Sequence, residues 1–298
     1  MVRLKFVVCD LCRPLLQLLP AGRVRALGWL GGGNQQDADW ADVYRRHRVF
    51  YDRDMGAWVY VDLADWGGRW HYYSGHYYDR TTRALIHRLL RAGDSYVDVG
   101  ANLGMHVVPA SRQVGPSGVV VAIEPNPSLF RVLSAHMAIN EVQNARLFNV
   151  GLSDEAGELQ LHWAGHEGAH TFRPVEGATR STTVPVRVAD DLLADVHFPG
   201  RVLVKIDTEG FEHHVLRGMR KLRHRDDTYF VVEVNDEWLR ATGSGAAGLF
   251  EDMAGDGYKP YQVFAGDRGR RTILLRPIDK APMEGLVDIV FSRVPLDA

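Results

Sequence analysis

The chain has 298 residues, 46% of them hydrophobic and 24% charged, with a formal net charge of −2. That is long and apolar enough for one large globular domain with a small appendage, and it excludes a disordered chain. A charge so close to zero excludes a broad nucleic-acid surface, and the basic runs at 45–48 and 220–225 read as solvated faces.

Residues 1–30 are moderately apolar, with Leu15, Leu16, Leu18 and Leu19 close together. Asp10, Arg13, Pro14 and Pro20 break the run, so it is too short for a membrane span and lacks the clean core of a signal peptide. A short helix is expected there, packed on the main domain or on a second copy of the chain, which leaves a homo-oligomer open. Cys9 and Cys12 form a lone Cys-x-x-Cys pair. Zinc would need further ligands and a redox site a thioredoxin-like context, so reduced thiols in a cytoplasmic protein are expected. Gly31 to Gly33, followed by Asn34, Gln35 and Gln36, reads as a flexible connector.

From about 48 to 80 the chain is rich in aromatic residues, among them Trp58, Trp66, Trp70, Tyr72, Tyr73, Tyr77 and Tyr78. Alternation over 57–63 predicts a strand. The rings either fill a core or, at Trp66, Trp70 and Tyr77, form a wall for an acceptor molecule. Residues 1–80 are expected as an N-terminal extension and 81–298 as the main domain.

Helical spacing over 82–90 stops at Gly93. A short apolar strand over 96–99 then carries Asp98 into a loop holding Gly100 and Gly104, with a helix expected over 105–114. Strand, glycine turn and helix start form a nucleotide-type corner. A dinucleotide fingerprint would need Gly at 100, 102 and 105, but Asn102 and Met105 stand there, so the form is Asp-x-Gly-x-Asn-x-Gly. The next strand, 119–123, ends at Glu124, an acid that can accept two hydrogen bonds from a ribose diol or sit at a helix start. A helix over 127–140 and a strand over 146–150 follow. The alternation predicts an α/β fold with a parallel sheet covered by helices.

Gly151-Leu-Ser153-Asp154 suits a turn. Strands over 158–163 and 183–188 belong to an insertion. His162, His166 and His170 repeat every four residues, but Gly165 and Gly168 argue against a metal-bearing helix, so exposed loop histidines are expected. A strand over 202–206, a helix over 212–219, a strand over 229–234, a helix over 249–254 and strands over 258–264 and 287–292 complete the domain.

Val97-Asp-Val-Gly-Ala-Asn-Leu-Gly104, Ile123-Glu-Pro-Asn126, Gly151-Leu-Ser-Asp154, Lys205-Ile-Asp-Thr-Glu-Gly-Phe-Glu212 and Val231-Val-Glu-Val-Asn235 together resemble the FkbM-type methyltransferases. The resemblance covers roughly residues 75–263. It implies a Rossmann-like, seven-stranded, mostly parallel sheet and S-adenosylmethionine as methyl donor. It also implies methylation of a hydroxyl on a sugar, glycan or other secondary metabolite. Asp98, Gly100, Asn102, Gly104 and Glu124 are then the donor site, with Ser153 and Asp154 close to the adenine. The catalytic base is expected at the carboxyl edge of the sheet, where Asp207, Glu209, His213 and Glu233 are the local choices. Asp207 has the best position, either as base or as anchor of the donor's amino group, with Glu233 and His213 after it. A magnesium variant would use Asp207, Glu233 and Asn235, but Val234 separates the last two and the acid is Glu, so a metal is not favoured. Two alternatives compete: a nicotinamide-dependent oxidoreductase, opposed by the missing glycines, and a silent S-adenosylmethionine-binding protein, opposed by the retained Asp98, Glu124, Asp207 and Glu233.

Overall fold

The structure, a computed structural model, describes residues 2–18, 46–163, 170–173, 175, 180–265 and 273–296. The expected glycine connector at 31–33 and His166 lie outside the described residues. The chain divides into two compact units, one ending at Asp79 and the other beginning at Arg80.

In the first unit, α1 (Val2–Leu18) carries both cysteines as free thiols. No helix among the described residues is long and apolar enough to cross a membrane. β1 (His47–Asp52) and β2 (Ala57–Asp62) form an antiparallel hairpin, with Phe50, Val59 and Val61 on its buried face. The aromatic stretch then folds as a helix, α2 (Trp66–Ser74), which the alternation upstream does not foretell. Its ends explain it: the Asp65 carboxylate accepts the Gly68 N–H at the start, and Gly75 takes a left-handed conformation at the end. Tyr72 and Tyr73 are core, whereas Trp66, Trp70 and Tyr77 are half-buried. Beneath them, fully buried His71 and Asp52 are 2.5 Å apart. Burial alone would raise the Asp52 carboxyl, but His71 and the N–H groups of Met55 and Asp54 hold it below the usual range.

The second unit opens with α3 (Arg80–Leu89), β3 (Ser95–Val99) and α4 (Val107–Val114). β4 (Val119–Ile123), α5 (Pro127–Ile139) and β5 (Ala145–Phe148) follow. α4 begins two residues later than its spacing predicts, because the turn closes first through Val107 N–H to the Gly104 carbonyl. The insertion comes next: β6 (Gly151–Ser153), β7 (Gly157–Trp163), β8 (His170–Thr171) and β9 (Ser181–Val188) form a small sheet in the order β6-β9-β7-β8. His162 and His170 are therefore on neighbouring strands and half-buried, not in an exposed loop as expected.

After α6 (Ala189–Leu192) come β10 (Val202–Ile206), α7 (Glu212–Arg217), α8 (Arg220–Arg223) and β11 (Thr228–Val234). The helix expected over 212–219 stops at Gly218, where a side chain would lie 2.2 Å from the Ser153 carbonyl oxygen. α9 (Asp236–Ala241), α10 (Ala246–Gly255), β12 (Lys259–Ala265), β13 (Ile273–Pro277) and β14 (Val287–Ser292) end the unit.

The main sheet runs β13-β12-β14-β11-β10-β3-β4-β5. The five strands from β5 to β11 are parallel; β14 is antiparallel to both β11 and β12, and β13 is antiparallel to β12. Among the described residues the sheet thus has eight strands, one more than the seven expected. The extra one, β13, is an edge strand ending in Pro277, a residue whose missing N–H an edge tolerates. β3 and β10 are buried along their whole length, which is why they read as near-continuous apolar runs. Strand order reverses at β3, which has β4 on one side and β10 on the other, so the carboxyl ends of β3 and β10 border the crevice where ligands of such sheets bind.

Candidate functional site

The loop after β3 is built by close approach. Gly100 has φ +81°, and a Cβ there would lie 1.9 Å from the Asp207 carbonyl oxygen. Gly104, also at φ +81°, would drive a Cβ to 2.5 Å from Leu133 Cδ1. Both glycines are thus demanded by protein packing, beyond any ligand. Asn102 between them is left-handed at φ +50°, a conformation Asn tolerates. That turn presents the Asn102 N–H to Glu124 Oε2 at 2.8 Å, while Glu124 Oε1 accepts the Asn126 N–H at 2.8 Å. Glu124 is 4% exposed, and burial pushes its carboxyl up to about 7 against the pull of those two N–H groups.

Strand register assembles the other half. Lys205 is in register with Asp98 of β3, and Asp207 follows two residues on, so period-2 alternation puts all three on one face. Lys205 Nζ lies 2.9 Å from Asp207 Oδ2 and 3.8 Å from Asp98 Oδ1. Asp98 is 1% exposed, and neither of its carboxylate oxygens meets a well-aligned donor. Burial raises its carboxyl, opposed by the charges of Lys205 and His106.

On β11, Glu233 pairs with Asp288 of β14 and stands one residue beyond the Ile206–Val232 pair. Oxygens of Asp207, Glu209 and Glu233 all lie within 4.8 Å of one another. Burial, then the charge of Asp207, pushes the Glu233 carboxyl far above the carboxylate range. Burial and the same neighbour raise Glu209 to about 7.

Other expected residues are used differently. Asn235 caps α9, its side-chain oxygen accepting the Trp238 N–H at 3.1 Å. His213 is 2% exposed and its Nε2 lies 2.9 Å from Asp252 Oδ2 on α10, with Gly248 against its ring. It thus sits between α7 and α10 and is not among the group that Asp207, Glu209 and Glu233 form. Ser153 Oγ donates to Asp154 Oδ1 at 3.1 Å, and His214 Nδ1 approaches the same oxygen at 3.0 Å. Lys205 is the residue that sequence reasoning passed over. Its signal was a charged side chain inside the fully buried run Val-Leu-Val-Lys-Ile.

A sheet that switches direction beside a glycine turn, with carboxylates gathered at its carboxyl edge, defines an α/β protein with a nucleotide-type ligand site. The comparisons narrow the class. Residues 98–255, more than half of the chain, match the methyltransferase FkbM domain, and the chain belongs to that family. Among curated relatives, Methyltransferase 1 of Beauveria bassiana is 28% identical over 42% of this chain and 59% of its own length. Hexuronic acid methyltransferase AglP of Haloferax volcanii is 30% identical over 46% of this chain and 54% of its own. The 31-O-demethyl-FK506 methyltransferase FkbM of Streptomyces tacrolimicus is 30% identical over 49% and 67%. The match thus spans between about half and two thirds of these relatives. A solved methyltransferase FkbM from Methylobacillus flagellatus is 15% identical, over 69% of this chain and 49% of that one, with a TM-score of 0.42.

Proposed function

We propose that the protein transfers a methyl group from S-adenosylmethionine to a hydroxyl of a sugar, glycan or related secondary metabolite. The observation that carries this reading is the convergence of Asp98, Lys205, Asp207, Glu209 and Glu233 beside the Gly100–Gly104 turn, a carboxyl-rich edge suited to a cationic ligand. The residues fit such a donor. Asp98 is a buried carboxylate that Lys205 reaches only at 3.8 Å, and each Glu124 oxygen, spending one lone pair on an N–H, keeps another for a ribose hydroxyl. The Asp154 carboxylate adds a polar edge for the adenine. When bound, the donor supplies an electrophilic methyl group on a sulfonium.

The chain's own residues then position the acceptor oxygen and take its proton. Alignment can supply up to ~7–11 kcal/mol of the barrier, and proton removal typically ~100- to 10,000-fold. The named relatives act on a hexuronic acid and on a demethylated FK506, which supports an oxygen acceptor of this chemical range. The experiment is transfer of a tritiated methyl group from S-adenosylmethionine to methyl glucoside, methyl galactoside and methyl glucuronoside. Label in an ether-linked product supports the reading; binding of S-adenosylmethionine without transfer to any compound narrows it to the donor half.

A further inference from the structure

We propose that Glu209 is the general base that takes the proton of the acceptor hydroxyl. The proposal rests on the methyl-transfer reading and identifies which member of the carboxylate cluster performs the proton step. The three candidates share one location, since their oxygens fall within 4.8 Å of one another. They differ in what surrounds them. Asp207 Oδ2 is already engaged by the Lys205 ammonium at 2.9 Å, which stands between that oxygen and an acceptor. Glu233 is held protonated by burial first, to which the charges of Asp207 and of Asp288, its partner in register, add. Glu209 remains.

The backbone singles it out independently. Glu209 has φ +57°, a left-handed conformation that a residue with a Cβ avoids. Its neighbours enforce that conformation. Thr171 Oγ1 donates to the Glu209 carbonyl at 2.7 Å. Glu212 Oε1 accepts Thr208 N–H at 2.9 Å, Thr208 Oγ1–H at 3.0 Å and Gly210 N–H at 3.0 Å. Thr242 Oγ1 donates to the Gly210 carbonyl at 2.8 Å, and Gly210, at φ +106°, has no room for a side chain against Trp238. Five hydrogen bonds from three side chains therefore fix one turn in which a glycine at 209 would rest without strain. The sequence places a glutamate there, and what a glycine would lack is the carboxylate.

Burial is the main influence on that carboxylate, followed by the charges of Asp207 and Glu212, with Glu233 also facing it; Arg173 and Lys205 oppose them. Together they bring the group up to about 7, where a base is both ionised enough to accept and basic enough to hold a proton. In the step, the acceptor oxygen forms its bond to the methyl carbon as the carbon–sulfur bond breaks. The electron pair leaves on sulfur, giving a thioether, and the hydroxyl proton moves to Glu209 and then to water.

The test uses the full chain and two variants. First, calorimetry of the parent with S-adenosylmethionine must show binding; its absence overturns the methyl-transfer reading itself. Glu209→Gln should then keep the donor Kd within about threefold while single-turnover transfer to the glycosides named above falls ~100-fold or more. Its residual rate should lose the acid limb of the pH profile, which a purely structural role would leave intact. Glu209→Gly should lose transfer equally and yet melt at a higher temperature than the parent. A parental rate in Glu209→Gln, or a lower melting temperature in Glu209→Gly, overturns the assignment. If no glycoside is a substrate, carbon-13 carboxyl NMR decides: a Glu209 midpoint near neutrality supports the base, and one in the ordinary glutamate range removes it.

Discussion

Lys205 Nζ sits 2.9 Å from Oδ2 of Asp207, on a strand where every other side chain is apolar. This ammonium is the cation of the carboxylate edge, and it reaches back to Asp98 as well. Removing one partner of a buried pair leaves the other charge uncompensated. Lys205→Met should therefore cost roughly 3–5 kcal/mol in urea unfolding at pH 8. The loss should shrink as pH falls through the raised Asp98 range, where protonation removes the unpaired charge. A pH-independent loss would mean that only packing was disturbed. Because Lys205 already neutralises Asp207, EDTA should leave donor affinity and turnover unchanged.

Gly100 makes a second prediction by contrast with Gly115. Both have positive φ, but a Cβ at 100 would meet the Asp207 carbonyl oxygen at 1.9 Å, whereas one at 115 meets nothing within 4 Å. Gly115→Ala should cost only the left-handed backbone penalty, about 1–2 kcal/mol. Gly100→Ala should cost roughly 3–5 kcal/mol, adding overpacking to that penalty. Equal melting temperatures for the two variants would show that the β3 and β10 ends yield easily.

Much of this architecture is legible in the sequence, and the failures share causes. The strands carrying Asp98, Glu124 and Asp207 are short apolar runs with acids within or just beyond them, and they were placed within a residue or so. α2 was missed because Trp and Tyr favour strands, and its helix depends on the cap at Asp65 and the turn at Gly75. The sequence offers Asn235 as an oxygen ligand only in a magnesium variant it does not favour, and an Asn followed by Asp236 and Glu237 is also a helix start, which is what it makes. Lys205 was visible as a buried lysine, but its partner Asp98 lies more than a hundred residues earlier, and only register brings them together. The strain at Glu209 is a backbone angle that no residue pattern announces.

Glu124 provides a pH test. Its carboxyl is raised from 4.5 to about 7, so its contribution to stability is fully present below about 4.5 and is lost as pH rises through 7. That displacement corresponds to about 3 kcal/mol. Glu124→Gln, which cannot ionise, should flatten the fall in stability between pH 4.5 and 7 measured by urea unfolding. Glu209 titrates in the same window, so the difference between parent and variant is the quantity to read. Parallel curves would place the titration elsewhere.

Asp154 has the opposite sign. Burial would raise its carboxyl, but the hydrogen bond from His214 and then its charge hold it below the usual range. Its stabilisation is present above about 3.8 and is lost as pH falls through the lower folded value. The pair is partly open to solvent, so His214→Ala should cost only about 1 kcal/mol at neutral pH, and the two proteins should converge in acid. A deficit that persists at low pH would assign the effect to lost stacking on Phe211, whose ring centroid lies 4.4 Å away.

The methyl-donor site is tested most directly by calorimetric titration of the full chain with S-adenosylmethionine, S-adenosylhomocysteine and NADH. The two sulfur ligands should bind in the low-micromolar range, about 8 kcal/mol, and NADH should give no heat. Glu124→Ala should weaken both by about 1–3 kcal/mol, through lost hydrogen bonds to a charged group and a loosened Asn102 turn. Binding of NADH in place of S-adenosylmethionine, or no heat with any of the three, would contradict the assignment of this site to a methyl donor.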